Sequence, residues 1–396
     1  MPSPLAGLRV LDLSRALAGP FCSMMLGDMG AEIIKVEQPG IGDNTRAWGP
    51  PFEGGESSYF LSVNRNKRSI AIDMRQERGA EIIRRLITNS DVLLENFVPG
   101  TLDRLGFDQA TCRALQPQLI SCSISGFGQH GPDRERTAFD QIAQGLGGIM
   151  SVTGEAGGPP VRIGIALADI IAGMFAASAI LAALVHRERT GEGQHVETSL
   201  LEGQLAMMTY QAASYFATGI APVSHGNYHP SIVPYGVYRV ADGYITLAVG
   251  NDSLWRRFCT ALKLEYLQDD ERFHSNPLRH INRDALHGLL LPILERYTVS
   301  EIDSLLKAHS VPCGPVLDLK DAFANPQVAA LDLVRTLQHP TAGDIRVVAP
   351  PYQLSATPLD IRMPPPLLGQ HTDEILQSLG YDRQSIADLR EAHVVA

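Results

Sequence analysis

Five short apolar runs within residues 8–125, separated by glycine-bearing turns and by helical spacing, limit the fold more than any other feature of this chain. They read LRVLDLS (8–14), AEIIKVE (31–37), RSIAIDM (68–74), DVLLENF (91–97) and LISCSIS (119–125). The spacing predicts a turn and helix over 19–30. It predicts a second helix over 77–89, with Ile82, Ile83, Leu86 and Ile87 on one face. Strands apolar on both faces and alternating with helices build a parallel sheet covered on both sides. The expectation is therefore an α/β protein with an open, Rossmann-like parallel sheet. Gly and Pro punctuate the carboxyl ends of the strands, where such sheets place their ligands.

A chain of 396 residues exceeds one small core, so a second domain is expected. The pattern divides it into a large α/β part over 1–221, a smaller α+β part over 222–320, and a proline-rich return to the large domain over 321–396. The smaller part opens on a hairpin, YGVYRV-ADG-YITLAV, turned at Asp242-Gly243. Helical spacing follows at about 253–262, 284–297 and 300–307, and the tail shows few periodic elements. A second helical pattern spans 199–219. The segment 163–185 is long and apolar enough to span a bilayer. It holds Asp169, however, and a carboxylate facing lipid is costly, so a helix packed inside protein is expected.

With 33 basic and 43 acidic side chains, the net charge of −10 argues against nucleic acid as a partner. A local basic patch is still present at Asn64-Arg65-Asn66-Lys67-Arg68, fit for a small anionic cofactor. Cys22, Cys112, Cys122, Cys259 and Cys313 are too scattered for a disulfide framework or a zinc site. No basic-then-apolar leader is evident, and a cytoplasmic protein with no membrane partner is expected. After the first run the loop SRALAGP has one glycine where a dinucleotide fingerprint needs three, although Glu37 ends the second run where a ribose-binding acid would sit. No G-x-S-x-G elbow and no H-E-x-x-H appear.

Asp169 remains. Its neighbours, GIALA before it and IIAGM after it, include no cation. At a helix start it is either an N-cap or an anion stabilised by the helix and available as a nucleophile. The residues alone leave both open.

Five segments in order resemble the class III CoA-transferases: GLRVLDLSRALAGP (7–20), GDNTRAWGPP (42–51), NRNKRSIAIDM (64–74), ENFVPGTLDRLGF (95–107) and GIALADIIAGM (164–174). PCGPV (312–316) and PLLGQHTDEIL (366–376) extend the likeness to both ends. The resemblance implies that Asp169 is the catalytic aspartate, forming an acyl anhydride and then an aspartyl-CoA thioester. It implies no permanently bound cofactor, acyl-CoA and a small carboxylic acid as substrates, and an interlocked homodimer. It further implies that Ala18, Ile72, Asp73, Met74, Arg75, Asn96, Phe97, Val98 and Arg104 contact CoA. Arg104, together with Arg65, Lys67 and Arg68, suits phosphate, because guanidinium pairs bidentately with phosphoryl oxygens. Gln38 and Thr137 occupy places where formyl-CoA transferase has basic residues. The loop Gly126-Phe127-Gly128-Gln129-His130-Gly131 is a candidate source of oxyanion-binding N–H groups. Racemases on the same fold need a histidine where this chain has Phe139, in Ala138-Phe139-Asp140, and phenylalanine cannot carry a proton. The segment 225–252 resembles transferases that take succinyl-CoA and C5 dicarboxylates such as glutarate, with His225, His229 or Arg239 available for a distal carboxylate.

Overall fold

The computed structural model describes residues 3–396. The chain divides into two compact units: Met1–Ile149, Arg162–Gly219 and Gln327–Ala396 form the larger, while Met150–Val161 and Ile220–Pro326 form the smaller. The smaller unit thus takes in a segment near residue 155 that the sequence pattern assigns to the large domain.

In the larger unit the sheet strands are β1 (Arg9–Asp12), β2 (Glu32–Glu37), β3 (Lys67–Ala71), β4 (Val92–Glu95), β5 (Ile120–Ser125) and β6 (His195–Ser199). Their order is β3-β2-β1-β4-β5-β6 and every pairing is parallel. The order reverses between β1 and β4, the doubly wound arrangement whose ligand crevice lies beyond the carboxyl ends of those strands. Alternation along the strands fills two apolar layers. Leu11, Ile34, Ile70 and Leu93 face Ile82, Ile83, Leu86 and Ile87 of the helix Glu77–Thr88. Val10, Ile33, Val92 and Ile120 face the opposite layer, which holds Ala172, Ala176, Ala177 and Ile180.

Those alanines belong to the long helix Leu167–Thr190, which begins four residues later than its apolar run. By length and composition it is able to cross a membrane. Its small residues instead form a groove against the first helix, Ala18–Asp28: a Cβ added at Gly173 would lie 2.5 Å from the Ala18 carbonyl oxygen. Only glycine permits that approach. The expected second helix over 199–219 is two, Leu200–Met207 and Thr209–Thr218, broken where Thr209 takes a φ of +35°.

The C-terminal stretch carries more structure than its prolines predict. Val334–His339 and Gly343–Val348 form an antiparallel hairpin, and the helices Thr372–Ser378 and Arg383–Glu391 follow. The tail then docks beside the end of β3, where the Asp73 N–H donates to the Val394 carbonyl (2.8 Å) and the Ala396 N–H to the Ala71 carbonyl (3.2 Å).

The smaller unit is α+β. Its strands β7 (Tyr235–Val240), β8 (Gly243–Ala248) and β9 (Cys313–Pro315) form an antiparallel sheet in the order β9-β8-β7. Helices Asp252–Leu262, Arg283–Leu294 and Val299–Ala308 bring Trp255, Phe258, Leu286, Leu290 and Ile302 into its core.

Candidate active site

The loop after β1 rests on buried charge. Asp12 accepts from the Ser14 N–H (2.9 Å), the Ser14 hydroxyl and the Ser23 hydroxyl (2.6 Å). Below it, the Lys67 ammonium donates to the Pro20 carbonyl (2.8 Å) and Asn64 Oδ1 (3.0 Å), and lies 3.5 Å from Asp12. Lys35 donates to the Ser14 carbonyl and to Asp43, each at 2.9 Å. Burial pushes the Lys67 ammonium down to about 7, against the pull of Asp12 and with the repulsion of Lys35.

This corrects the phosphate patch expected from the basic run. Lys67 is fully buried and tied to the loop's own acceptors. Arg65 is held by Asp28 at 2.6 Å, and Arg68 pairs with Glu32 and with Glu374 at 2.9 Å. None of the three lines the two cavities described next. Nor is Glu37 a ribose acid: its carboxylate is taken by Arg46 (2.7 Å), the Asp43 N–H (2.9 Å) and the Ser69 hydroxyl (2.6 Å).

Two cavities lie across the carboxyl ends of the strands. The first, about 210 Å³, is walled by Leu13, Arg15, Gln38, Ile72, Asp73, Met74, Arg75, Phe97 and Arg104, among others. Arg15, Arg75 and Arg104 form no ion pair among the described residues, so an open cationic wall faces this space. The second, about 180 Å³, is lined by Arg15, Ala16, Ala18, Trp48, Tyr59, Asn96, Phe97, Ser125, Gly126, Phe139 and Asp169, among others. Arg15 and Phe97 belong to both. Of the residues expected at CoA, Ile72, Asp73, Met74, Arg75, Phe97 and Arg104 therefore gather at one cavity, and Ala18, Asn96 and Phe97 at the other. Val98 lies apart, in a third cavity of about 750 Å³ with Glu95 and His195.

Asp169 lies in the first turn of the long helix, but it is not the cap. The N-cap position is Ala166, with no side-chain cap. The capping oxygen comes from Asp140, which accepts from the Ala168 N–H at 2.8 Å and from Gln144 Nε2 at 2.8 Å. Asp169 is thereby left with its carboxylate toward the cavity. Burial raises its pKa to about 7, and the neighbouring Asp140 carboxylate pushes the same way. Tyr59 is pushed up to about 12 by burial and by Asp169, so its hydroxyl stays protonated and able to donate. Trp48 meets Tyr59 edge-on at 5.0 Å.

Asn96 acts through its neighbour. Its Oδ1 accepts from the Arg15 N–H (2.8 Å) and its Nδ2 donates to the Arg15 carbonyl (2.7 Å). Ala16 takes a φ of +62° and its N–H donates to Asp43 at 3.2 Å, so the Arg15 backbone is clamped on both sides. In the glycine-rich loop only Gly126 lines the Asp169 cavity, and the Gly128 N–H is committed to the Ser125 hydroxyl at 2.9 Å. His225, His229 and Arg239 belong to the smaller unit and are not among the residues lining the Asp169 cavity. There Arg283 donates to the His229 and Pro230 carbonyls, each at 2.9 Å.

Arg15, Tyr59 and Asp140 escaped the sequence reading. For Arg15 and Asp140 the signal was present: each stands inside a motif already singled out, SRALAGP and AFD.

A model of CoA-transferase family III matches residues 5–372. Succinyl-CoA:glutarate CoA-transferase of Homo sapiens is 43% identical over 393 residues, covering 99% of this chain and 90% of that protein. Succinate–glutarate CoA-transferase of Agrobacterium fabrum is 42% identical and covers 95% and 96%. Among solved structures, a CAIB/BAIF family protein from Brucella suis superposes with a TM-score of 0.86 at 41% identity, covering 96% of this chain and 100% of that one.

Proposed function

The chain belongs to CoA-transferase family III, and on that footing we propose that it moves CoA from succinyl-CoA to a short dicarboxylic acid such as glutarate, through acyl intermediates on Asp169. The observation that carries this reading is the position of Asp169: a nucleophile-sized carboxylate in the first turn of a helix, facing a cavity that shares Arg15 and Phe97 with the cationic cavity beside it. The cationic cavity suits the phosphates of CoA through Arg75 and Arg104. The one lined by Asp169 suits the thioester and its acyl group.

An Asp169 carboxylate oxygen attacks the thioester carbonyl, the C–S bond breaks, and CoA leaves as the thiolate. The product is a mixed anhydride. The thiolate attacks the aspartyl carbonyl, expels the donor acid as its carboxylate, and leaves an aspartyl-CoA thioester. An acceptor carboxylate attacks that thioester and frees the thiolate again. The thiolate then takes the acceptor's acyl carbon and restores Asp169. Each addition places charge on a carbonyl oxygen, where the protonated Tyr59 hydroxyl is the donor we assign. Walls such as Trp48, Phe97 and Phe139 keep water from the anhydrides. No permanently bound cofactor takes part, and we place the enzyme in the cytoplasm as an interlocked homodimer.

The test is mass spectrometry after incubation with succinyl-CoA and hydroxylamine. A mass change confined to the peptide bearing Asp169, and absent from Asp169→Ala, is expected. A folded Asp169→Ala protein that still exchanges CoA at the wild-type rate overturns the mechanism.

A further inference from the structure

The cavity that holds Asp169 has mixed polar and apolar walls. Ala16, Ala18, Trp48, Phe97, Phe139 and Leu200 contribute to it, and Arg15 is the one cation among its lining residues. The Arg15 guanidinium stacks over the Phe97 ring, 5.4 Å from its centroid, and engages no carboxylate among the described residues. Its neighbourhood explains why. Asp43, the acid that acts on it, is already held by Lys35, Thr45 and the Ala16 N–H, and Arg75 repels it. A half-buried cation costs free energy unless an anion meets it. Its backbone, moreover, is clamped by Asn96 before any ligand arrives.

Asp169 is not that anion: it lines the same cavity but makes no ion pair with Arg15. Phosphate is the rival. Extended, the pantetheine arm puts roughly 15 Å between the sulfur and the first phosphorus. Arg75 and Arg104 line only the other cavity, away from Asp169, and are the cations we assign to the phosphates. A five-carbon diacid spans roughly 5 Å between its carboxyl carbons. Once one end is a thioester or an anhydride at Asp169, the other remains an anion inside the same small space, where Arg15 is the one cation among the lining residues.

We propose that the Arg15 guanidinium binds the second, unreacting carboxylate of the acyl group and so selects dicarboxylic over monocarboxylic acids. The proposal rests on the reading above that acyl transfer takes place at Asp169. Bidentate pairing makes Arg15 the reader of charge, and its fixed backbone makes it a reader of chain length.

The experiment compares glutaryl-CoA with valeryl-CoA, which replaces the distal carboxylate by a methyl group at nearly equal length. The readout is the rate of appearance of the Asp169–CoA adduct mass in a single turnover, with the dissociation constant of free CoA measured beside it. In the wild type the glutaryl ester is expected to react faster. In Arg15→Gln the glutaryl-to-valeryl rate ratio is expected to fall at least about 100-fold, with partial recovery in Arg15→Lys. Equal losses on both esters, accompanied by weaker CoA binding, would assign Arg15 to the phosphates and overturn the proposal; so would an unchanged ratio. A wild-type protein acylated by neither ester refutes the transfer reading itself and takes this proposal with it. An intact adduct with an unaltered ratio refutes Arg15 alone.

Discussion

In the proposed mechanism Asp169 must be ionised to attack, yet burial and the Asp140 carboxylate hold its pKa at about 7. Adduct formation is therefore expected to rise with pH through an inflection near 7 in the free enzyme. Asp140→Asn removes the like charge while keeping an oxygen for the Ala168 N–H, so the inflection should move to lower pH. A shift upward, or none, would show that Asp140 does not act on Asp169 through its charge. The same carboxylate burdens the fold. Its folded pKa lies above the unfolded value, so between the model-peptide value of 3.8 and about 7 the folded protein keeps a proton the unfolded chain has released. Stability falls as pH rises through that window and stays lost above it. Asp169→Asn should then raise Tm by about 1–3 °C at pH 8 and leave it nearly unchanged at pH 4, as scanning calorimetry would reveal. At this scale the sequence was readable in part. Asp169 stood out through the order of its motifs, whereas Asp140, 29 residues upstream, stood inside the AFD motif with no spacing that tied it to the start of that helix. Lys67 was misread because β3 is buried on both faces, so a basic letter in the run points inward to Asp12, 55 residues away in the chain.

The long helix is set by its small residues. Gly173 lies one turn beyond Asp169 and meets the Ala18 carbonyl so closely that any side chain must part the two helices. Gly173→Ala is expected to cost about 1–3 kcal/mol in denaturant unfolding, as overpacking does. It should also slow adduct formation at Asp169, because the helix start moves with the contact. Wild-type stability in that variant would mean that the first helix yields freely. Element identity was legible wherever periodicity was strong: β1 to β5, the helix Glu77–Thr88 and the β7–β8 hairpin all arise from patterned segments. It failed at β6, HVETS, whose polar letters hide a strand pairing along β5. It failed again at the hairpin Val334–His339 and Gly343–Val348, where the surrounding prolines masked a regular alternation.

Over residues 139–216 the chain exposes Phe139, Ile142, Met174, Phe175, Leu205, Met207, Tyr215 and Phe216. Exposed apolar surface on that scale is covered in functioning proteins. Sedimentation at twice the monomer mass is therefore expected, and a stable monomer at micromolar concentration would contradict the proposed dimer. The change of pattern near residue 220, where the main segment of the smaller unit begins, was visible in the sequence. The capture of residues 150–161 by the smaller unit was not, because that stretch is glycine-rich and without periodicity.

The strand order has a consequence for how the protein comes into being. The cavity walls are drawn from the ends of strands on both sides of the reversal, from Leu13 at one extreme to Leu200 at the other. The cavity with Arg75 and Arg104 is walled by residues between Leu13 and Leu105, whereas the Asp169 cavity draws on residues as far as Leu200, so a growing polypeptide emerging from the ribosome holds the parts of the first well before those of the second. On the proposed reading, the wall for the CoA phosphates is therefore synthesised early, and the seat of the thioester is finished only when the sixth strand has paired.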